Sequence, residues 1–250
     1  MPVPMRAEND FLVDFAEIPT DVAKAASAFY LNYPNNPTGA VATRAFLGDL
    51  VAFARDYNIV VCYDNPYSEV VFGTERLSFL NAPGAKEVGV ELNSLSKPFN
   101  MTGWRIGMAS GNRDVVKAIA TSKANTDSGI FNAIQYAGIE ALDHCDAFTG
   151  AMLQIYARRR EALLGLLREL GWTFDPPKGT FYLWVPVPKG YTSASFCDFL
   201  FEKCAVVLAP GAAYGANGEG FVRFSLTVKD DRLEEALRRM RTALPTFQFD

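Results

Sequence analysis

The sequence predicts an α/β protein whose N-terminal part holds a mostly parallel sheet covered by helices. Short β-rich runs alternate with helical patterns in the first half, which is typical of β-α-β units around a buried parallel sheet. Beyond about residue 146 a long helical segment gives way to strand-like runs and shorter helical patterns, which predicts a smaller α+β domain. We therefore expect a large domain at residues 1–145 and a small C-terminal domain at residues 146–250.

The elements of the large domain can be assigned in chain order. Apolar runs typical of buried strands lie at residues 28–31, 59–63, 88–92 and 105–109. A helical pattern from Thr43 to Tyr57 joins the first two of these strands. Residues 113–170 then read as helical, with breaks predicted near residues 127–128 and 144–146 and a stop at Gly171.

The small domain shows strand and helix patterns in alternation. Strands are predicted at residues 181–185 and 221–226, and helices at residues 193–203 and 231–242.

Composition narrows the class of protein. With 250 residues, 49% hydrophobic and 21% charged, the chain is typical of a globular protein. The formal net charge of −4 gives no reason to expect a nucleic-acid partner, and the arginines at 158–160 and 238–239 are expected on solvated helix faces. No apolar run approaches the roughly 20 residues that a membrane helix requires, so we expect no membrane association and a cytoplasmic location.

The cysteines and the single histidine give no sign of a metal site. The four cysteines lack CxxC spacing, which favours reduced structural thiols. His144 is expected at a helix end, and without a Cys/His cluster we predict that no metal is bound.

Four polar clusters follow or flank predicted strands, where open α/β sheets place their ligands. They are the loop at residues 32–39, the turn at residues 64–67, the segment from Ser94 to Lys97, and Arg105. A lysine among apolar residues with a second cation nearby suits nucleophilic attack on a carbonyl, so Lys97 is the central candidate.

One ligand chemistry would use all four clusters. A lysine can bind an aldehyde, a carboxylate can hold a protonated ring nitrogen, and serine and arginine can bind phosphate. Pyridoxal phosphate carries these groups. Asp64 beside its ring nitrogen would favour the protonated form, which makes the ring an electron sink.

The order and spacing of these motifs resemble a known family. Asn-Pro-Thr-Gly at residues 36–39, Asp-x-x-Tyr at 64–67 and Ser-x-x-Lys at 94–97, with arginine eight residues later, are similar to class I/II aminotransferases of fold type I, the aspartate aminotransferase superfamily. The resemblance covers almost the whole chain. It implies the fold of the pyridoxal-phosphate transferases and a homodimeric transaminase that moves an amino group between an amino acid and a 2-oxo acid.

The resemblance also implies roles for the residues that bind the cofactor. Asn36 and Tyr67 would contact its ring oxygen, and Asp64 its ring nitrogen. Lys97 would be the catalytic residue and form the Schiff base with the cofactor.

Phosphate and substrate have their own implied ligands. Ser94 and Arg105 would bind the cofactor phosphate, with Ser96 as a weaker candidate. Arg223 would hold the α-carboxylate of the amino acid, a task for which its planar donors are suited.

The chain departs from the family at its N-terminal side, where only 35 residues precede Asn36 and relatives have well over a hundred. Such a chain is expected to leave sheet edges unpaired and to deprive residues 11–15 of their usual neighbour. We expect this fragment to bind pyridoxal phosphate weakly and to have little transaminase activity.

Other functions on the same fold remain open. Lyases and synthases that eliminate a β- or γ-substituent share most of these residues. A non-catalytic aminotransferase-like module and an inactive truncated protein are further alternatives. The residues that make up the motifs resemble those of the subgroup that includes aspartate, alanine, aromatic and diaminopimelate aminotransferases.

Overall fold

A computed structural model describes residues 1–249, which divide into two compact units. The first comprises residues 1–35 and 40–151, and the second residues 36–39 and 152–249. The domain boundary after residue 145 stays a prediction. The short Asn36–Gly39 loop is grouped with the second unit, which no local sequence pattern indicates.

The first unit is built on a four-stranded sheet. Its strands are β1 (Ala28–Asn32), β2 (Val60–Asp64), β3 (Gly89–Ser94) and β4 (Gly107–Gly111), in that order across the sheet. β1, β2 and β3 are parallel and β4 is antiparallel to β3, so the predicted mostly parallel sheet is confirmed. Within residues 1–249 no strand pairs with the outer edge of β1 or of β4.

Five α-helices accompany this sheet. They are α1 (Thr20–Ala25), α2 (Arg44–Tyr57), α3 (Ala85–Val88), α4 (Arg113–Thr126) and α5 (Asn132–His144). The helix predicted from Thr43 is confirmed: the Thr43 hydroxyl caps α2 by accepting from the Phe46 N–H at 3.1 Å. His144 ends α5 as predicted, and its ring lies 3.5 Å from Glu140.

An aromatic core joins α2 to the N-terminal segment. Phe46, Leu47 and Leu50 of α2 are buried, and Phe15 stacks on Phe46 and on Phe53 with ring centroids 5.3 Å apart in both pairs. Phe15 therefore has aromatic neighbours in α2. The expectation that residues 11–15 lack a neighbour that relatives supply stays a prediction.

The second unit contains a three-stranded antiparallel sheet and helices. Helix α6 (Asp146–Glu169) precedes β5 (Tyr182–Pro186), α7 (Ser193–Cys204), β6 (Ala209–Pro210), β7 (Phe221–Ser225) and α8 (Asp230–Ala243). The sheet order is β5-β7-β6, which leaves β7 in the centre. The two-residue β6 is not foreseen from the sequence, because a run this short carries no periodicity.

Two sequence expectations need correction. The strand predicted at residues 105–109 begins at Gly107, because Arg105 has a left-handed backbone with φ of 54° after a 3₁₀ turn at Thr102–Trp104. The arginines of α6 are not all solvated: Arg159 and Arg160 expose only 16% and 13% of their side chains.

Across the described part of the chain, no helix combines the length and apolar character needed to cross a membrane.

Candidate active site

The loop after β3 holds Lys97. The Ser94 hydroxyl accepts from the Ser96 N–H at 3.1 Å, and the Thr102 hydroxyl donates to the Ser96 carbonyl at 3.1 Å. These bonds fix the backbone on the N-terminal side of Lys97. Its Nζ lies 5.8 Å from the centroid of the Tyr67 ring, and Tyr67 is buried in the turn that follows β2.

Asp64 is the last residue of β2, and the charge of Lys97 affects the pKa of its carboxyl. Burial raises the pKa of the Asp64 carboxyl, while a hydrogen bond from the Tyr30 hydroxyl and the charge of Lys97 act in the opposite direction. Tyr30 and Asp64 lie on the same face of the sheet, because Tyr30 pairs with Cys62 in the β1–β2 register. The pKa of Asp64 is raised overall, so the hydrogen bond from Tyr30 and the charge of Lys97 do not fully offset the cost of burying the carboxylate.

Arg105 stands exposed before β4. Its Nη1 donates to the Thr102 carbonyl at 2.9 Å, which attaches the side chain to the same loop that carries Lys97. A left-handed backbone at an arginine is uncommon and costs free energy, so this loop is held by its surroundings. The exposed guanidinium keeps further donors for an anion.

Arg223 lies at the middle of β7 and is held by its neighbours. Its Nη1 donates to the Asn36 side-chain oxygen at 2.8 Å. The guanidinium carbon lies over the Tyr182 ring at 3.9 Å from the centroid, and 5.1 Å from that of Tyr214. The Nε atom of Arg223 is buried and has no hydrogen-bond partner among residues 1–249. The guanidinium is thus oriented but not saturated.

The loop that carries Asn36 is itself fixed within the second unit. The Gly39 carbonyl accepts from the Gly179 N–H at 2.8 Å. Gly39 has φ of +71°, and a Cβ there would overlap Pro177 and the Gly179 carbonyl, so this position requires glycine. Arg160 donates twice to the Pro177 carbonyl, at 3.1 and 3.0 Å, and so supports the other side of this contact.

The structure gathers the predicted site residues into two groups. One group, in the first unit, consists of Asp64, Tyr67, Ser94, Ser96, Lys97 and Arg105. The other, in the second unit, pairs Asn36 with Arg223.

The first group fits pyridoxal phosphate. It offers a lysine, an exposed arginine and a carboxyl whose pKa is raised by burial, and a positive charge on a bound ring nitrogen would stabilise the ionised form of that carboxyl. Sequence reasoning missed the contacts of Tyr30 with Asp64 and of Tyr214 with Arg223. The only local signal for each contact was the position of the tyrosine: Tyr30 lies near a strand end, and Tyr214 lies in a glycine-rich turn.

Comparison with known proteins decides the family. The sequence profile described as "Aminotransferase class I and II" matches residues 1–240. The chain belongs to this family. Pyridoxal phosphate is the cofactor that class I and II aminotransferases imply, so the cofactor prediction is confirmed.

The curated relatives are more specific in name. The chain is 49% identical over 248 residues to the LL-diaminopimelate aminotransferase of Moorella thermoacetica, a match that covers 99% of this chain and 64% of that protein. It is 48% identical over 242 residues to LL-diaminopimelate aminotransferase 2 of a Nostoc species, covering 96% of this chain and 62% of that protein. The chain thus spans less than two thirds of the length of these aminotransferases.

Solved aminotransferase structures share the fold. Substrate-bound BacF from Bacillus subtilis superposes with a TM-score of 0.93 at 40% identity, covering 98% of this chain and 63% of that one. An aspartate aminotransferase mutant of Thermus thermophilus gives a TM-score of 0.88 at 30% identity, covering 97% of this chain and 63% of that one. Fold type I is therefore confirmed, and the comparisons give the lyase, synthase and non-catalytic alternatives no support. They do not support the expectation of weak cofactor binding and little activity either, and the activity of this chain stays a prediction.

Proposed function

We propose that this chain acts as a pyridoxal-phosphate-dependent transaminase whose amino donor is LL-diaminopimelate and whose acceptor is a 2-oxo acid. The observation that carries the proposal is the grouping of Lys97 with Asp64 and Tyr67 at the carboxyl ends of β2 and β3. A nucleophilic lysine beside a carboxylate and a buried phenol is the set that this cofactor requires.

Each residue of the first group has a task toward the cofactor. Asp64 would hold a proton at the ring nitrogen, and Tyr67 would donate to the ring oxygen. The phosphate would bind to Ser94, Ser96 and Arg105, with Arg105 supplying the full positive charge. When bound, the cofactor withdraws electrons from the α-carbon of an amino acid attached to it.

Lys97 serves first as an attachment point and then as a base. Once an amino acid has displaced it, its neutral Nζ can accept the α-proton. The Tyr67 ring, 5.8 Å away, limits the directions in which the lysine side chain can move. The protonated Nζ would then deliver this proton to the cofactor's former aldehyde carbon, and the second substrate would reverse both transfers.

Arg223 and Asn36 would orient the substrate. The guanidinium is fixed over the Tyr182 ring and bound to the Asn36 carboxamide, and it retains donors for an α-carboxylate. Asn36 is also proposed to contact the cofactor ring oxygen.

The choice of donor is supported by the curated relatives. Eight relatives at 46–49% identity carry the name LL-diaminopimelate aminotransferase. The proposal includes a homodimer and a cytoplasmic location, both of which are common in this family.

The covalent step can be tested without turnover. The purified chain is incubated with saturating pyridoxal phosphate and reduced with borohydride, and the modified peptide is identified by mass spectrometry. We expect modification at Lys97, its loss in Lys97→Ala, and its retention in Lys86→Ala, which removes an exposed lysine of α3. Equal labelling of Lys86 and Lys97, or labelling unchanged in Lys97→Ala, would contradict the proposal.

The donor is tested by a panel of amino acids with 2-oxoglutarate as acceptor. LL-diaminopimelate, aspartate, alanine and phenylalanine are compared, with meso-diaminopimelate as the stereochemical control. We expect glutamate formation to be fastest with LL-diaminopimelate. Faster turnover of any other donor would replace the substrate assignment and leave the transaminase assignment in place.

A further inference from the structure

Glu91 in β3 is a buried carboxylate whose hydrogen-bond donors are neutral groups. Only 3% of the residue is exposed, and no ion pair forms at its side chain among residues 1–249. Its Oε1 accepts from the side-chain amides of Asn65 at 3.0 Å and Asn93 at 2.9 Å. Its Oε2 accepts from the Ser78 hydroxyl at 2.7 Å and from the Phe79 N–H at 2.6 Å. Four donors thus compensate one buried charge.

Stability alone does not explain a carboxylate at this position. Burying a charge is unfavourable unless hydrogen bonds satisfy it, and an apolar side chain of similar volume is often at least as stable. The four donors therefore indicate that Glu91 holds particular groups in place. Those groups are Asn65, which directly follows Asp64, and the turn at Ser78 and Phe79.

Asn65 connects Glu91 to the candidate cofactor site. It directly follows Asp64, is 1% exposed, and its backbone N–H donates to the Leu92 carbonyl at 2.8 Å. Glu91 pairs with Tyr63 in the β2–β3 register, so its side chain and that of Asp64 point to opposite faces of the sheet. Glu91 can therefore act on Asp64 only through the backbone that Asn65 fixes.

We propose that Glu91 is a positioning residue for Asp64. Through Asn65 it fixes the end of β2 and the start of the turn that leads to Tyr67, so that the Asp64 carboxylate faces the cofactor ring nitrogen. This inference rests on the proposed function, since it assumes that Asp64 binds the cofactor.

The test is a double-mutant cycle read out by cofactor binding. Glu91→Gln keeps the shape but puts a donor where donors already converge, so the amide of Asn65 must turn. We expect the Kd for pyridoxal phosphate to rise about tenfold, which corresponds to 1.4 kcal/mol. The pH midpoint of the bound cofactor's absorbance should shift as well. In an Asp64→Asn background both effects of Glu91→Gln should disappear, because the group that Glu91 positions is gone.

Trp172→Phe serves as the matched control. It removes a buried hydrogen bond of the second unit, from the Trp172 indole to the Pro186 carbonyl at 2.8 Å. We expect it to lower the melting temperature and leave both the Kd and the absorbance midpoint unchanged. Asn65→Ala, which removes the connecting amide, should reproduce the effects of Glu91→Gln and decides the question if Glu91→Gln does not fold.

The outcomes separate this inference from the proposed function. Equal effects of Glu91→Gln with and without Asp64→Asn, or loss of stability with an unchanged Kd in Glu91→Gln and Asn65→Ala, would overturn the positioning role. Absence of any Lys97 adduct in the unaltered chain would instead overturn the proposed function.

Discussion

Two arginines are assigned to anions, and the two units hold them in different ways. Arg223 is bound to the Asn36 carboxamide and lies over the Tyr182 ring, whereas Arg105 is exposed and donates to a carbonyl three residues earlier. An oriented side chain loses little entropy on binding, and a partly buried one is less screened by salt. In the proposed roles, the second unit would therefore present a preorganised arginine for a carboxylate, while the first would present a phosphate-binding arginine that binding must order.

The largest expected effect comes from replacing Arg223 by lysine, and Arg105→Lys is its comparison. Arg223→Lys keeps the charge but loses the planar pair of donors, so we expect kcat/KM for amino donors to fall about 100-fold, since a hydrogen bond to a charged group contributes about 1.5–3 kcal/mol. Arg105→Lys should raise the Kd for pyridoxal phosphate about threefold, because an exposed ion pair is worth up to about 1 kcal/mol. Steady-state kinetics and cofactor titration check the two values. A larger loss in Arg105→Lys would reverse the comparison.

A smaller effect is expected at Tyr182, whose ring lies 3.9 Å from the Arg223 guanidinium carbon. A cation–π contact contributes about 1 kcal/mol, so Tyr182→Leu should raise the KM for the amino donor about fivefold. Tyr182→Phe keeps the ring and should behave like the unaltered chain. Equal KM values in the leucine and phenylalanine variants would mean that the ring does not orient Arg223.

The sequence predicts those parts of the site that strand ends determine. Asp64 and Ser94 are the last residues of β2 and β3, and in parallel strands such ends meet at one edge of the sheet. Arg223 could be placed on a strand by its alternating apolar neighbours. These assignments need only local periodicity and the order of the motifs.

Other features of the site depend on contacts that no local pattern carries. Asn36 contacts Arg223 although 187 residues separate them in the sequence. Tyr182 contacts Arg223 only because the β5–β7 register places Trp184 opposite Arg223. The left-handed backbone at Arg105 is set by the loop and not by residue type. Glu91 did carry a signal, a single carboxylate in an apolar strand, but only one of its four donors lies in β3, and the others come from two distant segments.

The smallest expected effect concerns stability and again contrasts the two units. Burial raises the pKa of Asp64 in the first unit, whereas hydrogen bonds from Ser193 lower the pKa of the Glu219 carboxyl in the second. A raised carboxyl pKa means that the ionised form is less favourable in the folded state than in the unfolded state. This cost is present above the folded pKa and vanishes below the ordinary value of 3.8.

Asp64→Asn should therefore stabilise the cofactor-free chain at neutral pH, by less than the about 2–4 °C in Tm that 1 kcal/mol produces in chains of this size. The gain should disappear as the pH falls through the folded pKa of Asp64. Glu219→Gln should do the opposite, because a lowered pKa stabilises the folded state above the unfolded value and that contribution is lost in acid. Thermal melts of the three proteins between neutral and acid pH measure both effects. Lower melting temperatures in both variants at neutral pH would show that Asp64, like Glu219, is already compensated by its own unit and leaves no charge for a cofactor to balance.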